Sequence, residues 1–151
     1  MMNSVQTSAK AAGRSATAQK TDDRITNWHV RASQNDAAAR AYVLEYYARP
    51  ENVETAIGDC EIAAASGNVN AMIRLGCLYI SGIVIRHDED KAYDFFMQAL
   101  FSPKAKRAQR EDIKVVMTSL LGRPFRFNIG EGKAWFVNSD KSKSYLALMP
   151  R

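Results

Sequence analysis

Histidine and cysteine are scarce in this chain of 151 residues, with two of each. Cys60 and Cys77 are too few to build a disulfide scaffold, and neither belongs to a close Cys/His cluster with metal-site spacing. Both read as buried thiols. If the helices flanking residues 66–69 run antiparallel, the two cysteines fall roughly 4 Å out of step at ~1.5 Å per residue, which a bridge tolerates poorly. His29 has no visible partner and reads as an ordinary, partly exposed residue. His87 precedes Asp88, Glu89 and Asp90, but consecutive residues at a helix start point in different directions and do not make the i, i+4 pair of a helical zinc site. Helix capping is the better reading. Two histidines supply no inferable Ser/His/Asp or Cys/His arrangement. Gly130, Glu131 and Gly132 lack the Lys-Ser/Thr and helix that follow a phosphate loop, so they read as a turn. No catalytic residues, metal or cofactor are therefore expected.

Long apolar runs are also missing. The most apolar stretch, residues 72–85, is interrupted by Arg74 and two glycines, well short of the roughly 18 residues that mark a spanning helix, so membrane insertion is not expected. Acidic residues are absent before Asp22. Residues 1–21 are mostly Ala, Ser, Thr and Gln with Lys10, Arg14 and Lys20, a composition that cannot bury enough surface to offset its ordering entropy. The segment 1–24 is expected to be a flexible tail, with a translocation signal as the alternative. It lacks the apolar core of a secretory signal peptide.

What is present suffices for one domain. Hydrophobic residues make up 46% of the chain, and 151 residues can enclose an ordinary core. The net charge of +5 is unevenly spread. Residues 1–33 hold five basic and two acidic side chains, residues 34–102 five and ten, and residues 103–151 eleven and four. An acidic middle lies between basic ends that could meet different partners.

Helical periodicity begins after the tail. Trp28 is expected to dock on the first packed helix, over residues 36–48, where Ala37, Ala41, Leu44 and Ala48 describe one face. Pro50 stops or kinks that helix. Residues 51–65 resume it with Val53, Ala56, Ile57, Cys60, Ala63 and Ala64 on a face, and Gly67 is placed for a left-handed cap. Residues 69–81 are apolar around most of the circumference, which predicts a helix covered on several sides. Gly82 ends it, and Asp88 caps the next helix, which carries Ala92, Phe95, Phe96, Ala99 and Leu100. After Pro103 a further helix presents Ile113, Val116, Met117, Leu120 and Leu121 and stops at Gly122. Beyond Pro124 the period changes to two, predicting a β-hairpin from FRFNI, GEG and KAWFV; residues 145–149 could add a strand.

Ala56, Ala63 and Gly67 recur as Ala92, Ala99 and Pro103, a spacing typical of stacked helical pairs. The order Ala71, Leu75, Gly76, Leu78, Tyr79, Gly82, Asp88, Lys91, Ala92, Phe95, Ala99 resembles the Sel-one-like repeat family, relatives of the tetratricopeptide repeats. Val84 replaces the usual second loop glycine, and Pro103 the glycine that ends the second helix. Residues 68–103 make one good unit, and residues 36–67 a degenerate one. The resemblance implies a mostly α-helical fold, a short α/α repeat array over residues 25–122; nothing in the family pattern predicts the C-terminal hairpin or cap over residues 123–151, which rests on the alternation alone. It also implies that the first helix of each pair lines a concave face, so that Asn70, Ile73, Cys77, Ile80 and Ser81 face a groove. Such a groove would take an apolar peptide or helix, with burial worth ~1.5 to 3 kcal/mol per large side chain. The alternative is that neighbouring helices cover these residues as core.

Lys104, Lys106, Arg107 and Arg110, with Lys114, Arg123 and Arg126 behind them, form a basic segment suited to phosphate neutralisation, and Trp135, Phe136 and Tyr145 could offer stacking faces. The sequence thus supports a protein-protein interaction adaptor, with a nucleic-acid-binding accessory protein as the alternative. A second copy of the chain is a further candidate partner. The family resemblance suggests a bacterial setting, either cytoplasmic or translocated by a specialised secretion system.

Overall fold

A computed structural model describes residues 4–48 and 53–137. It contains six helices, α1 (Ser4–Ser33), α2 (Ala37–Tyr46), α3 (Val53–Ala65), α4 (Val69–Ser81), α5 (Glu89–Leu100) and α6 (Arg107–Leu121), followed by strands β1 (Phe125–Asn128) and β2 (Lys133–Phe136). The fold is mostly α with a small antiparallel hairpin near the C-terminus, as the sequence predicts.

The helix starts are fixed by side chains that accept the backbone N–H groups left over in a first turn. Asp36 accepts from Ala39, Asn68 from Ala71 and Asp88 from Lys91, each at 3.0 Å. At the end of α4, Gly82 takes φ 66°, the left-handed conformation a side chain resists, and His87 lies 3.1 Å from where a Cβ would stand.

Two expectations need correction. Residues 4–24 belong to α1, a continuous helix, where a tail was expected. Asp22, Asp23 and Thr26 make side-chain contacts with α4 that no periodicity rule detects. In α2, the stripe Ala37, Ala41, Leu44 and Ala48 faces solvent, and the buried residues are Ala39, Val43 and Tyr47. Both stripes have helical spacing, and the one carrying the branched and aromatic side chains removes more apolar surface from water. Trp28 does dock on α2, stacking on Tyr42 with ring centroids 4.7 Å apart.

Helix α4 is the centre. Ten of its thirteen residues are buried, which matches its all-round apolar character. It packs as a hairpin with α5, where Gly76 meets Phe96: a Cβ on residue 76 would stand 2.6 Å from the Phe96 ring. Asp22 meets Asn70, Thr26 meets Arg74 and Ser33 meets Cys77, so α1 runs parallel to α4. Gln109 meets Asn70, and Leu120 and Ile80 border one cleft, so α6 also runs parallel to α4, and it touches α1 as well.

The hairpin pairs Phe125 with Phe136 and Asn128 with Lys133. Phe125, Ala134 and Phe136 face inward, and the Thr118 hydroxyl accepts from the Phe125 N–H at 3.1 Å, tying β1 to α6. The hairpin therefore packs against the end of α6. Residues 145–149 lie outside the described residues.

Candidate helix-binding groove

Asn70, Ile73, Cys77 and Ile80 are buried and Ser81 is half-buried, all on one stripe of α4. The structure brings them together as expected but does not leave them open. Helix α1 lies over the stripe and α6 flanks it, so the groove is filled by the chain's own helix. Ile73 is fully buried and Ile80 nearly so, which makes both part of the core.

The contact between α1 and α4 is unusual for a core because much of it is polar. The Asn70 amide donates to Asp22 Oδ2 at 2.9 Å and to Asp23 Oδ1 at 2.8 Å, and its own Oδ1 accepts from Gln109 Nε2 at 3.2 Å. One buried amide thus joins α1, α4 and α6. One turn along, Arg74 ion-pairs with Asp22, and its Nε donates to the Thr26 hydroxyl at 3.0 Å. Gln19 adds a bond to Asp23 at 2.9 Å. Burial lowers the Arg74 pKa to about 10, which leaves the guanidinium charged at neutral pH. On α6, burial raises the Asp112 pKa, and the neighbouring charges of Asp23 and Glu111 add to the rise.

Beside this layer are groups that the sequence placed less well. His29 is buried rather than partly exposed, with Nδ1 2.8 Å from the Ile25 carbonyl and Nε2 2.9 Å from the Tyr47 hydroxyl. A neutral ring protonated on Nδ1 satisfies both, donating to Ile25 and accepting from Tyr47. Burial depresses its pKa below the ordinary 6.5. The unfolded chain then binds the extra proton first, so stability is fully present above pH 6.5 and is lost as pH falls through the depressed value. Urea midpoints measured between pH 7.5 and 5 are expected to fall, and His29→Gln should flatten that slope. An unchanged slope would remove His29 as its cause.

Both thiols are protonated at neutral pH. Burial pushes the Cys60 thiol up to about 11, where it donates to the Ala71 carbonyl at 3.5 Å, and the Cys77 thiol up to about 12. Neither has the thiolate character of a reactive cysteine. Among the described residues, no group of three His, Cys, Asp or Glu side chains is placed to hold a metal ion.

The basic segment divides. Lys104, Lys106 and Arg107 are exposed, and with Gln19, Asn70 and Gln109 the two lysines border a cleft of about 320 Å³. Arg110, grouped with them in the basic segment, is half-buried and donates to the Leu100 carbonyl at 3.0 Å and the Ser102 carbonyl at 3.1 Å. It satisfies the carbonyls left over at the end of α5. Arg110→Ala should cost about 1 to 2 kcal/mol in urea unfolding for the lost charged hydrogen bonds. A loss confined to ligand binding would contradict that structural role.

The missed signals were partly visible. Arg74 is the one charge in an otherwise apolar helix, and Asp22 and Asp23 are the first acids after an acid-free segment. Nothing in the sequence pairs them. No family model, curated protein or solved structure matches this chain.

Proposed function

We propose that the protein is an interaction scaffold that binds a partner helix in the groove between α4 and α6. The observation that carries this reading is α1 itself, a largely polar helix lying in that groove and held by Asn70, Arg74 and Gln109. It supports a surface suited to helix-in-groove recognition. A helix supplied by another protein competes with α1, so its apparent affinity is reduced by the fraction of chains with the groove closed. The resemblance to Sel-one-like repeats supports an adaptor role, and a bacterial, secretion-associated setting rests on that resemblance alone. Among the described residues, no helix is long and apolar enough to cross a membrane.

The test is recovery of partners from native lysate by the wild-type chain and by Asp22→Lys/Asp23→Lys, which loosens α1 without altering the groove. The variant should recover more of the same partner. Equal recovery would end the groove reading.

A second reading keeps nucleic acid as the ligand, favoured by the exposure of Lys104, Lys106, Arg107, Arg123 and Arg126. It requires affinity that falls steeply with salt, with a slope reduced by Lys106→Ala/Arg107→Ala. No binding at low salt would remove it.

A further inference from the structure

Helix α1 has two halves that are held differently. Its C-terminal half is anchored by Trp28 on Tyr42, His29 on Tyr47 and the Arg31–Asp36 ion pair at 2.7 Å, with Val30 and Ala32 in the core. Ahead of Asp22 the residues 16–21 are all exposed, and Gln19 bonds within α1, to Asp23. Among the described residues, Asp22, Asp23 and Thr26 tie this stretch to the groove through Asn70 and Arg74. The exposed run 16–21 buries little surface, and such a stretch opens locally at low free-energy cost.

Opening leaves a demanding surface. The Asn70 side chain presents two N–H donors from a buried position, and the Arg74 side chain is 13% exposed. An occupant without acceptors would strand these donors away from water, which costs more than an imperfect apolar fit. An occupant with carboxylates at that level satisfies both, with charge-assisted bonds on an apolar floor of Ile73 and Cys77.

We infer that the partner is a helix bearing two adjacent acidic residues and, one turn later, a hydroxyl residue, and that it displaces α1 as far as Thr26 by copying the contacts of Asp22, Asp23 and Thr26. This rests on the groove reading and names what the groove selects. Specificity lies in Asn70 and Arg74, since a neutral helix of equal apolar content offers them no charged acceptor and leaves the Arg74 charge uncompensated. The interaction should weaken with salt, because Arg74 supplies the cationic half of the recognition.

The probe is a labelled peptide of the chain's own residues 12–30, compared by fluorescence anisotropy with the same peptide carrying Asp22→Asn and Asp23→Asn. The receptor is the full chain with Asp22→Ala/Asp23→Ala, in which the groove residues are intact and the competing acids are gone. The acidic peptide should bind at least about tenfold more tightly, a difference of about 1.4 kcal/mol. Arg74→Gln in the receptor should shrink that preference, and added salt should do the same. Equal binding of the two peptides would overturn the acidic specificity and leave the groove reading standing. No binding of either would overturn both. The two peptides are compared on one and the same Asp22→Ala/Asp23→Ala receptor, so the comparison stays decisive even where Arg74→Gln fails to fold.

Discussion

Phe96→Ala is expected to destabilise the protein by about 3 to 5 kcal/mol, the range for emptying a buried aromatic site. Phe96 is fully buried on α5, and its ring covers Gly76 of α4 at the centre of the tightest helix pair. The two positions are one fitted contact. Gly76→Ala alone places a methyl group 2.6 Å from the ring, closer than any real Cβ contact, and should cost about 1 to 3 kcal/mol through overpacking. Phe96→Leu gives the added methyl room, so the double variant Gly76→Ala/Phe96→Leu should be more stable than the two single losses summed. Urea unfolding of the four chains forms the cycle that measures the coupling. Strict additivity would mean that the glycine is tolerated for its backbone and not for the ring above it.

Asn70→Leu carries the second large expectation, a loss of about 2 to 3 kcal/mol for removing a buried partner of charged groups. The leucine is apolar and similar in size, so packing is nearly kept while three hydrogen bonds to Asp22, Asp23 and Gln109 disappear. Hydrogen exchange locates the effect better than a midpoint does. Protection should fall first in the α1 amides near residues 19–26 and in the first turn of α6, with α4 and α5 keeping theirs. Uniform loss along the chain would show that Asn70 supports the core as a whole and not the seating of α1.

The elements with strong periodicity were legible in the sequence. The end of α4, the start of α5 and the end of α6 follow from Gly82, Asp88 and Gly122, and the hairpin follows from the alternation around Phe125 and Phe127. The α1 segment was not legible, because its attachment depends on pairs far apart in the chain, such as Thr26 with Arg74, which local composition does not encode. The residues Asn70, Ile73, Cys77, Ile80 and Ser81, grouped through the repeat resemblance, fall on one stripe of α4. What covers that face is a tertiary fact. In α2 two stripes had the same spacing, and only packing against α1 decides between Val43 and Leu44.

Gln109 uses both ends of its amide. Its Oε1 accepts from the Lys106 N–H at 2.8 Å and closes the first turn of α6, while its Nε2 reaches Asn70, which in turn holds Asp22 and Asp23. The winding of that turn and the occupancy of the groove therefore share one chain of hydrogen bonds. Vacating the groove removes the acidic end of the chain and loosens the residue that positions Lys106 and Arg107. Linkage makes the effect mutual: a ligand that orders the basic turn must favour an occupied groove by the same factor.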